Sequence, residues 1–257
     1  MHKLPAFFRP LYINNSNLIR VGSDFDGGYV LFKKSIINTK HLITYGIADN
    51  FDFEKSFQKI SNCSCTSYDY SIGRDFWINK FKKDIIKFLQ FKIFKYKKFL
   101  DLFKFIDFYF FYKKKKNNFF LKKISNKKNC TPFKETIDTK QSNLFLKIDI
   151  EGSEYEFIDY LSKIEKKLTG FVIEFHQIEK NIFKIKKFFK KLKTQKLVHV
   201  HGCTYSTINK LNIPDIIECT FANRKYLKKI SKKKQKKYPL RFLDRPNSKR
   251  HSQFNLE

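Results

Sequence analysis

Arginine is scarce in this chain: it supplies seven of 54 basic residues, and lysine supplies the rest. The formal net charge of +30 invites a nucleic-acid or anionic-membrane partner. A dedicated nucleic-acid reader leans on arginine for bidentate contacts to phosphate and base edges, so the shortage argues against specific nucleic-acid binding. Lysine is abundant together with Ile, Asn, Phe and Tyr, the covariation of an AT-rich coding sequence. No paired CxxC elements occur among the five cysteines, and Cys63-Ser-Cys65 is too tight for the usual zinc spacing. Odd in number and scattered, they read as free thiols in a reducing compartment. No uncharged apolar run reaches 18 residues, which excludes a transmembrane helix. The amino-terminal segment MHKLPAFFRPLYINN breaks its one apolar patch with Pro5 and Pro10 and lacks the form of a signal peptide. With these features a cytoplasmic location is expected, with peripheral membrane contact as an option. Tryptophan occurs once, but phenylalanine occurs 31 times. With 42% hydrophobic residues over 257 positions, the chain can build one large α/β domain with insertions, or two small ones.

The segment 144–160, LFLKIDIEGSEYEFIDY, organises the rest. A short apolar run with Lys147 and Asp149 inside it reads as a buried strand. Gly152 and Ser153 end it, and Glu154, Tyr155, Phe157, Ile158 and Leu161 then recur at helical spacing, so a helix is expected from near Ser153. Strand, acidic turn and helix make half of a βαβ unit, and ligands of open α/β sheets sit at the carboxyl ends of the strands. Asp149 and Glu151 are therefore expected on the rim of a site, exposed, paired or metal-bound. They equally suit the first turn of the helix as caps.

Earlier in the chain, RVGSDFDGGYVLF (20–32) is a turn followed by a strand, either an edge hairpin or a loop that approaches a ligand closely. In HLITYGIADNFDFEKSF (41–57), a strand at 42–45 ends at Gly46 and a helix opens near Asp52. That layout holds the polar part of a nucleotide-like cofactor in Rossmann-like folds. The full GxGxxG is missing, so a dinucleotide site is not expected. TSYDY (66–70) is a second strand ending at Asp69. An acid at that offset hydrogen-bonds a ribose hydroxyl, or serves as an ordinary turn residue.

Residues 84–112 carry Phe, Ile and Leu at three- and four-residue steps with lysines on the other face. They read as an amphipathic helix or helix pair that covers the sheet, with a membrane-surface helix as the alternative. Residues 113–129 read as a polar, mobile insertion. A strand at 171–175 follows, with Glu174 and His176 expected on opposite faces, then a helix at 181–192. The strand at 197–201 closes with His199 and His201, a pair of the kind found on surfaces or edge strands. A last strand spans 216–221, and 224–237 is a lysine-rich helix or disordered arm. The repeated β and α alternation predicts an α/β fold with a central, mostly parallel sheet and helices on both faces.

LFLKIDIEGSEYEF resembles the signature strand and helix of the FkbM-like methyltransferases. RVGSDFDGGYVL, ITYGIADNFDFE, FVIEFHQIE, HVHGCTY, IPDIIECTFANR and FLDRPN are similar to further motifs of that methyltransferase-like group, in the same order. The resemblance implies a single class I, Rossmann-like methyltransferase domain over 1–257, with an idiosyncratic Phe/Lys-rich helical insertion at about 75–140 and a basic tail from about 224. It implies S-adenosylmethionine as cofactor and methyl transfer to a hydroxyl of a sugar, glycan or other small metabolite. Carried over by position, Gly46, Ala48 and Asp49 form the cofactor loop, Asp69 bonds the ribose hydroxyls, and Asp149 borders the methionine end and the acceptor. A hydroxyl acceptor must lose its proton, and Asp149, Glu174, His176 and His201, at strand ends, are the candidate bases. Asp149 with a histidine could instead hold a divalent metal, which the reading does not favour. No Asn/Asp-Pro-Pro-Tyr/Phe motif of base methylation occurs. The other function weighed is a non-catalytic α/β module that binds anionic membrane or polymer through its lysine surface.

Overall fold

The computed structural model describes residues 2–89, 103–138, 140–227, 233–235 and 237–257. In chain order its elements are β1 (Leu18–Val21), β2 (Tyr29–Phe32), α1 (Lys33–Ile37), β3 (His41–Tyr45), α2 (Asp52–Ser61), β4 (Ser64–Tyr68), α3 (Arg74–Leu89) and α4 (Lys104–Lys113). Then come β5 (Asn117–Phe120), β6 (Leu144–Ile148), α5 (Ile158–Ile164), β7 (Leu168–Phe175), α6 (Ile178–Lys191), β8 (Gln195–Gly202) and β9 (Ile217–Asn223).

Strands β3 to β9 form one seven-stranded sheet in the order β5-β4-β3-β6-β7-β9-β8, and β1 with β2 forms a separate antiparallel hairpin. The pairs β4–β5, β3–β4, β3–β6 and β6–β7 are parallel, and β9 runs antiparallel to both β7 and β8. This is the expected Rossmann-like α/β architecture with one reversed strand. From β3 the chain moves through α2 to β4 on one side, and from β6 it moves through α5 to β7 on the other. The order therefore reverses between β3 and β6, which opens a crevice at their carboxyl ends.

Burial explains why the central strands read so clearly. Every residue of β6 and β7 is buried, as in strands covered on both faces. Alternate side chains serve opposite faces. Leu42, Phe145 and Val172 pack against Phe53 and Phe57 of α2 and against Val21, Tyr29 and Leu31 of the hairpin. Ile43, Leu146, Phe171 and Ile173 pack against Leu161 of α5 and Ile185 and Phe188 of α6. Full burial of each such side chain contributes about 1.5–3 kcal/mol. The hairpin is tied to the sheet where Thr220 Oγ1 donates to the Val30 carbonyl (2.7 Å).

Four expectations are corrected. Part of the polar insertion, Asn117–Phe120, is the edge strand β5, parallel to β4. The segment after β6 first makes a 3-10 turn, Ser153–Glu156, and the α-helix starts only at Ile158. Glu174 and His176 share a face, as residues two apart on a strand do, and their side chains meet at 3.3 Å. His199 and His201 lie on the edge strand β8, as read, but both are buried. The amphipathic stretch 84–112 is seen as the end of α3 and most of α4, and its middle, like 228–232 of the basic tail, lies outside the described residues. No helix among the described residues is long and apolar enough to cross a membrane.

Candidate functional site

The loop after β3 and the turn after β6 touch at the crevice. Gly46 has φ +75°, and a Cβ there would lie 1.7 Å from the carbonyl oxygen of Asp149. Only glycine combines that dihedral with that approach. Gly46 N donates to the Tyr68 carbonyl, and Asp149 N to the Tyr45 carbonyl, both at 3.0 Å. Asp69, just past β4, then shapes the loop: its Oδ2 accepts from Ile47 N and Ala48 N at 2.8 Å. Its Oδ1 accepts from Ser71 N (2.7 Å) and Ser71 Oγ (2.6 Å). Ala48 itself has φ 46°, a left-handed conformation that this pair of bonds holds in place.

The loop, the turn and the hairpin tip enclose a cavity of about 610 Å³, within the usual range for small-molecule sites. Gly46, Ala48, Asp49, Asp69 and Asp149, the five residues assigned to cofactor binding by the resemblance, all border it. Asp49 is also tied outward, to Lys80 (3.0 Å) and Lys104 (3.7 Å). Burial alone would raise its carboxyl, but the two lysines outweigh it and hold the pKa below the ordinary value. Asp26 and Gly27 of the hairpin turn form one wall, and Lys122, Lys123 and Lys127 a second.

At the β6–β7 end, four acids and a histidine crowd together. Asp149 Oδ2 accepts from Tyr29 Oη (3.0 Å) and lies 3.6 Å from Lys147 Nζ. Lys147, almost fully buried, donates to the Gly46 carbonyl. His176, one residue past β7, faces Glu174 (3.3 Å) and Glu151 (3.7 Å) through Nε2, and Glu154 (3.3 Å) through Nδ1. Glu154 is wholly buried and accepts from the backbone nitrogens of His176 (2.7 Å) and Gly152 (2.8 Å). Burial would lower the His176 pKa, but the hydrogen bonds and charges of Glu154 and Glu174 prevail and lift it to about 11. Glu174 is shifted upward by burial first and then by the charges of Asp149 and Glu218. Glu174 and His176 are not among the residues bordering the cavity; they stand behind Asp149 and Glu151, which are.

His201 is two strands away from β7. It pairs with Glu218 (3.2 Å), the register partner of Glu174 on β9. Asn247 links Glu218 (3.2 Å) to the backbone nitrogen of Thr204 (2.8 Å), and its carbonyl accepts from Asp26 N (3.1 Å). His199 pairs with buried Asp244 (3.0 Å). The carboxyl-terminal segment thus staples the hairpin to β8 and β9, and His201 belongs to this buried polar row, away from the cavity lining.

Sequence reasoning missed Tyr29, Glu154 and Asn247, whose partners lie far along the chain. Lys147 carried a visible signal, a cation inside an otherwise apolar strand, which requires a buried partner. Asp149, Glu151 and His176 also place one ligating atom each within 4.8 Å of one another.

No protein-family model matches the sequence, and no curated protein matches it. Solved structures do. An rRNA methylase from Streptococcus thermophilus aligns at 8% identity and TM-score 0.37, over 74% of this chain and 92% of its own. A methyltransferase-type protein from Streptococcus mutans, in complex with SAH, aligns at 9% identity and TM-score 0.40, over 74% and 93%. A precorrin-6y C5,15-methyltransferase from Geobacter metallireducens aligns at 9% identity and TM-score 0.36, over 74% and 86%. At such low similarity, the sheet order of the chain itself carries the fold assignment.

Proposed function

We propose that the chain is an S-adenosylmethionine-dependent methyltransferase of the FkbM-like kind, acting on a hydroxyl of a sugar, glycan or other small metabolite. The observation that supports this most is the crevice at Gly46 and Asp149, where the sheet order reverses and a cavity of about 610 Å³ opens. The donor set fits such a cofactor. The Gly46–Ala48 loop would lie along the amino-acid part, and Asp69 Oδ1 would accept the ribose hydroxyls in place of the Ser71 hydroxyl. When bound, S-adenosylmethionine supplies an electrophilic methyl group on a sulfonium sulfur.

The residues of the chain would then position the acceptor and manage its proton. Asp149, held by Tyr29 and Lys147, borders the cavity and is placed to accept the proton of an incoming hydroxyl. Glu174 and His176 stand behind it, and the charge of Asp149 adds to the upward shift of Glu174. Orientation of the two reactants in such a crevice supplies much of the acceleration in such a transfer. Labelled-methyl transfer to a panel of sugars and small alcohols tests the reading. Transfer that Asp149→Asn reduces at least about a hundredfold, within the range for general-base loss, supports it; transfer unaffected by that change contradicts the role of Asp149.

A second reading has one observation in its favour. Phe105, Ile106, Tyr109 and Phe110 of α4 are exposed beside Lys113 and Lys114, the composition of a surface that meets anionic lipid. Sedimentation with phosphatidylserine vesicles checks it, with Phe110→Ser expected to weaken binding; equal binding by the variant counts against it.

A further inference from the structure

We propose that Asp149, Glu151 and His176 form a divalent-cation site at the acceptor end of the cavity. The proposal rests on the methyltransferase reading for its role, but its geometry stands alone. The three residues come from two adjacent parallel strands. Asp149 is the first residue after β6, Glu151 sits two further on in a left-handed turn (φ 53°), and His176 is the first residue after β7. One ligand atom from each falls within 4.8 Å of the others; two bonds of about 2.1 Å to one ion reach at most about 4.2 Å, so the set would draw together slightly on binding, which the exposed Glu151 side chain permits.

The supporting groups point the same way. Glu154, wholly buried, receives the His176 backbone nitrogen and faces Nδ1 of the ring at 3.3 Å. A carboxylate on one ring nitrogen is the arrangement that fixes the tautomer and turns the other nitrogen toward a metal. That other nitrogen, Nε2, faces Glu151 and Glu174. Glu174 is buried, with 11% of its side chain exposed, and among the described residues its carboxylate pairs with His176. A carboxylate with about four acceptor positions and one partner retains capacity toward the same point. Among the described residues, Lys147 is the lysine that pairs with that cluster, at 3.6 Å from Asp149.

Two carboxylate oxygens and one imidazole leave open coordination positions, and Glu151, with 88% of its side chain exposed, stands on the open side. This mixed oxygen and nitrogen set suits a six-coordinate ion of the manganese type. Such an ion at the cavity edge would lower the pKa of an acceptor hydroxyl and would favour acceptors able to chelate, such as vicinal diols.

The test is a Mn²⁺ titration of the full chain after EDTA treatment, followed by electron paramagnetic resonance of free Mn²⁺. Wild type, Glu151→Gln and His176→Gln are compared, with thermal melts to show that each is folded, and S-adenosylhomocysteine is titrated in parallel. One Mn²⁺ per chain bound below about 100 µM, weakened at least about tenfold by Glu151→Gln, is expected, the scale on which losses at such sites are seen. No saturable binding below 1 mM, or equal binding by folded variants, overturns the site and identifies the cluster as an imidazolium ion pair. S-Adenosylhomocysteine binding without Mn²⁺ binding overturns the cation site alone, whereas Mn²⁺ binding without it upholds the site and overturns the methyltransferase reading.

Discussion

An alanine at position 46 would set its Cβ 1.7 Å from the Asp149 carbonyl oxygen and would carry a φ near +75°. Retreat of either strand end would strain the bonds from Gly46 N to the Tyr68 carbonyl and from Asp149 N to the Tyr45 carbonyl. Gly46→Ala is therefore expected to destabilise the fold by about 2–4 kcal/mol and to open the cavity wall. Denaturant unfolding checks this, and an unchanged midpoint would contradict the close approach. At this scale the sequence was partly legible. Asp149 and Asp69 stood out because an acid at the end of an apolar strand needs a reason. Tyr29, Glu154 and Asn247 did not, because their partners lie 120, 22 and 43 residues away and no local pattern marks them. Asp69 also does more than its position suggested, since four protein donors converge on it.

At the scale of elements, legibility followed burial. β6 and β7 are covered on both faces, so their composition is apolar throughout and their type is plain. β5 opens with two asparagines, which are depleted in strands, and it lies at the sheet edge, so it read as loop. Its first residue is nonetheless a structural anchor. Asn117 Oδ1 accepts from Gln58 Nε2 (2.6 Å), and its Nδ2 donates to the Phe111 carbonyl (2.9 Å), joining α2, α4 and β5. Asn117→Ala leaves those buried partners unsatisfied and is expected to cost about 1–3 kcal/mol. A chemical-denaturation midpoint equal to that of wild type would show that the anchor is dispensable. The helix after β6 was expected one turn too early for a related reason. Glu154, read as the first of the helically spaced residues, instead turns back to Gly152 N and His176 N, and the backbone makes a 3-10 turn around it.

Across the whole molecule, the buried charge network sets how stability responds to pH. Burial raises and His199 lowers the Asp244 carboxyl, and the histidine prevails, so its folded pKa lies below the ordinary 3.8. A depressed acid contributes stability above its unfolded pKa and loses it as pH falls through the folded value. Asp244→Asn should therefore cost about 1–3 kcal/mol near neutrality, and the gap to wild type should close below about pH 3.8. His176 behaves in the opposite sense. Its contribution is full below about pH 6.5 and is lost as pH rises through about 11. An imidazole NMR titration in metal-free buffer checks this, and a ring titrating near 6.5 would contradict it. The net charge of +30 bears on partners and solubility, whereas the reversed sheet order and its crevice bear on the chemistry.

Cofactor binding at that crevice is measured most directly by calorimetric titration of the folded chain with S-adenosylhomocysteine. One site per chain with micromolar affinity, lost in Gly46→Ala, is the expected result. A folded wild type that binds none, with or without Mn²⁺ present, would contradict the methyltransferase reading.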